Sequence, residues 1–437
     1  MLKKIIDKLD THTLEVLVKS SKTMLVKVFG MITALLISIF LARTLGPNGL
    51  GVVNFSNKLG MILLILTMFG FQNVIIKFIA IAKEKFDNKG IATAVKTSLV
   101  FNLLISLCIA CIGAIVLEFI FEIWPNNQEL YVPLLIVFIM LIPQTISRVY
   151  GSALNGYGKI WQANLVDRTL SVILVGLGLI LYSIFSVVFT PISVLLLYAI
   201  SRVILAVVVK VMWNQTFKNN IKGRFNFKPM FKMAKPLLVV SGTGVIASNA
   251  DVIMLGILGT LEDVDVYSVA WSLAMLTSIF LQVTNAAIAP KVASLYNDSK
   301  TSQLQVMVQS ITKGLVIVGL LFITFFVVLG QWLLDFWGSG FEDAYWLIII
   351  LSIGQFFNMA TGCAGMILVM CGFEKIHGYI SIAAVILNII LNLFFILSYG
   401  AIGAAIATAT TATFANLTKF IFVTKKLKIS TIKFKFN

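Results

Sequence analysis

The chain has 437 residues, 59% hydrophobic and 12% charged, with a mean hydropathy of +0.99. That is about half the usual charged fraction and more apolar surface than one core could bury, which excludes a soluble globular domain. The net charge of +16 does not point to nucleic acid either, because the lysines stand singly in short loops between apolar runs and build no basic face.

Each apolar run is about 20 residues or slightly more, the length at which a helix crosses a hydrocarbon core of about 30 Å. About twelve spans are expected. They run over 23–43, 51–76, 93–117, 130–150, 164–184 and 190–212, then 236–257, 265–289, 311–334, 345–370, 377–397 and 400–422. The amphipathic start, Leu2 to Leu9, runs into a full-length span with no small-residue cleavage site, so a signal peptide is not expected. The longest polar break, Lys210 to Lys235, carries Lys210, Lys218, Lys222, Arg224, Lys228, Lys232 and Lys235 and no acidic residue. It reads as a joint. The expected division is a first six-helix half over 1–213, a basic cytoplasmic linker over 214–235, a second six-helix half over 236–424 and a basic tail over 425–437.

Lys and Arg gather at alternate ends of these spans. All of the 34 except Lys27, Arg43, Lys58 and Arg202 fall on one side, with the N-terminus, the central linker and the tail. Both termini are therefore expected to be cytoplasmic. The opposite connections carry acids instead: Glu118, Glu122 and Glu129, then Glu262, Asp263 and Asp265, then Asp335, Glu342 and Asp343.

Two turns recur. Leu45-Gly46-Pro47 after the first span matches Leu258-Gly259-Thr260 after the seventh, and Asn155-Gly156-Tyr157-Gly158-Lys159-Ile160 after the fourth matches Cys371-Gly372-Phe373-Glu374-Lys375-Ile376 after the tenth, at offsets of about 213 to 216. An internal duplication follows. Six spans per half is even, so the halves share one orientation about an axis along the membrane normal.

Taken together, the 6 + 6 arrangement, the Leu-Gly-Pro-x-x-x-Gly turn after the first span, the Gly-aromatic-x-Lys turn after the fourth and the basic tail resemble the polysaccharide transporter branch of the multidrug/oligosaccharidyl-lipid/polysaccharide exporter superfamily. The resemblance covers essentially the whole chain and implies a MATE-like fold: an all-α polytopic membrane protein of two six-helix halves in parallel pseudo-two-fold repeat. It implies a flippase that moves undecaprenyl-diphosphate-linked repeat units, of O-antigen or capsule type, across a bacterial inner membrane. The partners it implies are the lipid-linked oligosaccharide, membrane lipids, a polysaccharide polymerase and a chain-length regulator.

A charged side chain near a span centre costs about 2.5 to 3.5 kcal/mol on insertion scales, so the few that occur are candidate site residues. In span one, Lys27 shares a small and polar seam with Thr23, Gly30, Ala34 and Ser38; it either faces a cavity or snorkels to the headgroups. In span two, Gly51, Asn54 and the deeper Lys58 share a face. Cations there would offset the desolvation of a lipid diphosphate. In the resembling flippases, cationic cavities formed partly by spans one, two, seven and eight take this role. Arg202 in span six reads equally as a cavity residue or a packing residue. Arg43, about 160° around the helix from Lys27, reads as an interface anchor or outer-gate residue. In span seven, Ser241, Gly244, Ser248 and Asp251 form another seam. Asp251 and Lys58 lie at a matched depth, roughly 10 to 12 Å below the outer surface, so they either pair across the halves when the outer side is closed or Asp251 bonds within its own half. Pro143 is expected to kink span four, and Gln144, Gln282, Asn285, Gln355 and Asn358 to serve helix packing.

No Walker loop or nucleophile elbow occurs, and Cys108 and Cys111 have redox-motif spacing but sit inside an apolar span. His12 and His377 are peripheral. The chain is thus expected to be neither an enzyme nor a holder of metal or cofactor. A cation-coupled drug exporter of the same superfamily is the alternative, disfavoured because the first half offers only Asp167 as an in-membrane carboxylate.

Overall fold

In lipid the backbone has no partner but itself, so each apolar run closes its own hydrogen bonds as a helix. The computed structural model describes residues 11–123, 125–218, 221 and 223–431, with the backbone alone at 11–25, 27, 123, 125–127, 166–168 and 239–240. Leu2 to Leu9, Lys222, Lys433 and Lys435 lie outside the described residues, as do the side chains of Lys27, Asp167 and Arg168. Every regular element among the described residues is a helix.

The chain divides into two units, one comprising residues up to Phe40 with Ser56–Val245, the other Leu41–Phe55 with Ile246 onward. Helix α1 (Thr11–Met68) supplies both. It is broken at Gly46 (φ 70°, ψ 178°), a conformation that costs a residue without Cβ nothing, and Pro47 opens the next turn with its φ already set. The first unit continues through α2 (Phe71–Glu84), α3 (Asn88–Ile123), α4 (Tyr131–Gly156), α5 (Ile160–Asn164), a π turn over Leu165–Leu170, α6 (Ser171–Ile184), α7 (Pro191–Thr216) and the start of α8 (Phe227–Leu258). Here α4 packs against α2, α3 and α7. Pro143 lies inside α4, and the Ser147 hydroxyl donates to its carbonyl at 2.6 Å.

The second unit takes the rest of α8, then α9 (Leu261–Ala274), α10 (Ser278–Asn297), α11 (Thr301–Leu334), α12 (Ala344–Ala360), α13 (Ala364–Met370) and α14 (Glu374–Leu427). The pair α9 and α10 bends by 44° and the pair α12 and α13 by 41°, while α14 is broken at Gly400 (φ 53°, ψ −132°). Leu304, Val308, Ile367, Leu368 and Val423 join α11, α13 and α14 in one buried cluster. Leu104, Ile112 and Phe119 on α3, and Ile317, Leu321 and Val328 on α11, point outward into exposure, the inverse of a soluble bundle.

Among the described residues seven helices are long and apolar enough to cross a membrane, nine when each bent pair is one span. The breaks in α1 and α14 each separate two expected spans, and α6 is a shorter apolar helix, so the helices of the described residues accommodate the roughly twelve spans expected. The turns also repeat more tightly than their sequences do. Helix starts pair as Pro47 with Leu261 and Asn88 with Thr301, and left-handed residues pair as Gly158 with Gly372 and Ser186 with Gly400. Their numbers differ by 214, 213, 214 and 214. Gly158, rather than Gly156, is the counterpart of Gly372.

The basic joint differs from expectation. Its last residues are already helical, because α8 starts at Phe227 and stacks Phe227 and Phe231 at 4.6 Å, with Phe227 4.7 Å from Phe101 of α3. Before that, the Thr93 and Thr97 hydroxyls accept the backbone N–H groups of Arg224 and Asn226 at 3.1 and 2.9 Å, and Gly223 lies against Ala92. This irregular segment, Gly223 to Asn226, is strapped along α3.

Candidate functional site

Polar side chains buried in an apolar bundle must find one another, and the candidate site lies where they converge. Asp251 on α8 is 3% exposed. Its Oδ2 accepts from the hydroxyls of Tyr267 and Thr408, both at 2.8 Å, and its Oδ1 accepts from the Asn392 amide at 2.6 Å. The same amide nitrogen reaches Asn388 Oδ1 at 3.0 Å, one turn earlier on α14. Three donors thus compensate one carboxylate, and α8, α9 and both parts of α14 are tied at one point. All of these residues belong to the second unit.

A second buried carboxylate lies nearby in sequence. Asp265 on α9 is 0% exposed, and its Oδ1 accepts the Asn54 amide at 3.2 Å while its Oδ2 has no hydrogen-bond partner. Sequence reasoning placed Asp265 in an outward connection, which the structure corrects. The reason is a capping box: the Thr260 hydroxyl accepts from the Asp263 N–H at 3.0 Å and the Asp263 carboxylate accepts from the Thr260 N–H at 3.1 Å, so the helix starts at Leu261 and carries Asp265 into the bundle. The T-x-x-D pattern was the signal that could have shown this. Asp263 Oδ1 also accepts the Ala401 N–H at 3.2 Å, capping the helix that resumes after Gly400.

Segment Leu41–Phe55 is packed into the same unit. Gly51 sits against the Leu261 carbonyl, where a Cβ would have no room, and Phe55 fills the space beside Gly256. The Arg43 guanidinium donates from Nε to the Phe336 carbonyl at 2.8 Å and from Nη2 to the Asp335 carbonyl at 3.2 Å. These are carbonyls at the C-terminal end of α11, where a helix leaves acceptors unpaired and its dipole favours a cation.

Of the expected cations, Lys58 on α1 and Arg202 on α7 are half-buried in the first unit, Arg202 one turn from Tyr198. Lys58 and Asp251 fall in different units. The expected seams are only partly seams. Gly30 is a packing point, since a Cβ there would meet Thr169 Oγ1 at 2.8 Å, and the Thr169 hydroxyl donates to the Val26 carbonyl. Gly51 and Asn54 turn to α9. Gly244 and Ser248 are exposed while Asp251 is buried. Gln355 accepts the Asn358 amide at 3.3 Å, and the Gln282 amide donates to the Ser278 hydroxyl at 3.2 Å, each within a single turn of helix.

Together the repeated apolar helices, the breaks at Gly46 and Gly400 and the buried polar knots define a multi-pass membrane protein. The fold is shared with a multidrug resistance MATE family transporter of the MOP superfamily in its inward-facing conformation, at 16% identity and a TM-score of 0.73 over 95% of this chain and 98% of that one. It is shared also with the lipid II flippase MurJ in an inward closed conformation, at 16% identity and a TM-score of 0.70 over 94% and 87%. The pattern of the polysaccharide biosynthesis protein family matches residues 16–296, and the MatE pattern matches 236–394. The chain therefore belongs to the polysaccharide biosynthesis protein family. A relative from Haloferax volcanii, the probable low-salt glycan biosynthesis flippase Agl15, is 30% identical over 190 residues, 42% of this chain and 40% of that protein. The matched stretch thus spans two fifths of that relative's length.

Proposed function

We propose that the protein is a flippase that moves undecaprenyl-diphosphate-linked oligosaccharide repeat units, of O-antigen or capsule and exopolysaccharide type, from the cytoplasmic to the outer leaflet of a bacterial inner membrane by alternating access. The family match over residues 16–296 carries this reading, and the kinship with a probable glycan biosynthesis flippase supports it. Lys58 and Arg202, half-buried on apolar helices, give a diphosphate headgroup counter-charge where water is scarce, and Lys27 joins them by its position on α1. Arg43 acts as a closure residue, and Asp251 is held by three donors of its own unit in the arrangement seen here. Both termini are cytoplasmic, and the polymerase and chain-length regulator that would take the product lie downstream.

Deletion of the gene in its native host, with the surface glycan and the pool of lipid-linked intermediates measured together, tests the reading. Loss of the glycan with repeat units stranded on the cytoplasmic leaflet is expected. An unchanged glycan with raised sensitivity to cationic dyes would overturn it in favour of drug export. Within the flippase, Lys58→Glu and Asp251→Lys each impair transport; recovery in the double variant establishes that the two residues pair, and no recovery leaves Asp251 to its own network.

A further inference from the structure

A carboxylate taken out of water needs either a cation or several donors, and an ion left with neither is driven to neutralise. Asp251 has three donors. Asp265, equally deep, has one amide at 3.2 Å and an oxygen with no partner. The titratable groups around it are engaged elsewhere. On α9 itself, Glu262 is exposed, Asp263 caps two helices and Tyr267 bonds Asp251. On α12, the Tyr345 hydroxyl donates to the Val327 carbonyl. On α14, Tyr399 is exposed, and on α1 Arg43 holds the end of α11.

The position of Asp265 is as telling as its loneliness. It meets α1 through Asn54, one turn beyond the point where Gly51 lies on the Leu261 carbonyl and in the segment where Pro47 lies against Gly340. By the distribution of Lys and Arg this is the outer end of the spans. A transporter that alternates access must part such contacts once per cycle.

We propose that Asp265 is a proton-binding site that couples outer closure to proton uptake, an inference that rests on the alternating-access reading above. With Leu41–Phe55 seated on α9, the Asp265 carboxyl is protonated and its O–H removes the need for a counter-ion. When the segment leaves, water enters, the O–H bond breaks and the proton passes to water; the carboxylate is then solvated. Reseating the segment takes a proton back. The sign follows: low pH favours the closed arrangement, and rising pH favours the open one, by about tenfold in the equilibrium per pH unit for one proton.

The test is double electron–electron resonance on the full-length chain in lipid nanodiscs, with its four cysteines replaced and spin labels at Asn48→Cys and Ser339→Cys, both exposed positions flanking the Pro47 and Gly340 contact. Between pH 5 and pH 8 the short-distance population should give way to a longer one, with that slope. Asp265→Asn, which cannot ionise, should remain short at every pH, and Asp265→Glu should restore the pH dependence. A pH response in Asp265→Asn equal to that of the parent chain, or a parent chain with no response, overturns the proposal. No cargo takes part in this measurement. A chain that fails to move lipid-linked oligosaccharide in vesicles but keeps the slope would sink the flippase reading alone.

Discussion

Replacing Asp251 should unfasten the second unit, by an amount set by its three hydrogen bonds. Polar contacts inside membrane bundles average about 0.6 kcal/mol each and reach about 1.7. Three of them, lost together in Asp251→Leu, cost about 2 to 5 kcal/mol. Asp251→Asn should cost only about 1 kcal/mol. It keeps the Oδ1 that accepts from Asn392, and it turns an amide toward hydroxyls of Tyr267 and Thr408 that lie 3.2 Å apart and can each donate or accept. The assay is reversible unfolding in mixed micelles followed by tryptophan fluorescence, to which Trp271, stacked over the Tyr267 ring with centroids 6.4 Å apart, contributes a local probe. Tyr267→Phe combined with Asp251→Asn should cost less than the two singly, because both remove the same bond. An Asp251→Leu protein within about 0.5 kcal/mol of the parent would refute the claim that this carboxylate holds α8, α9 and α14 together.

Other consequences can be checked independently. Arg43→Gln removes a cation from the end of α11, worth about 1 kcal/mol, so amide exchange at Trp337 and Gly338 should quicken about fivefold while that at the centre of α11 does not change. Gly51→Leu has no space against the Leu261 carbonyl and should stop transport at normal protein abundance, whereas Gly244→Leu, with open space around it, should be tolerated; transport in vesicles decides. Thr97→Val releases the Asn226 N–H, and trypsin should then cut after Arg224 about five- to tenfold faster.

Helix number, the repeat and the turn residues could be read from the sequence because they rest on local physics: run length, and glycine or proline where the chain changes direction. The helix break at Gly46 and Pro47 was visible in the residues themselves. What was not legible is long-range. Arg43 finds its carbonyls 293 residues away, and Asn54 finds Asp265 at a separation of 211, with no local pattern to announce either. Asn388 and Asn392 were invisible for another reason: an amide pair at helical spacing in an apolar run looks the same whether it packs helices or serves a carboxylate. Asp265 was misread although its capping box was in view, because hydropathy alone sets the helix start some residues too late. Lys58 and Arg202, half-buried in the structure, stand out in the sequence because a cation in an apolar run is conspicuous by its cost.

The placement of Leu41–Phe55 in the second unit bears on how the chain is made. These residues leave the ribosome about 200 residues before α9 exists to receive them, a wait of roughly 10 to 40 s at common synthesis rates. During that interval Asn54 has no carboxylate and Arg43 no helix end, so the nascent first half must keep both near the headgroups, where water serves in their place. That end of the first half is therefore finished only when the second half arrives. Insertion of the first six spans and maturation of the fold are separate events, and a defect introduced near residue 335 should surface as a fault in a helix inserted long before it.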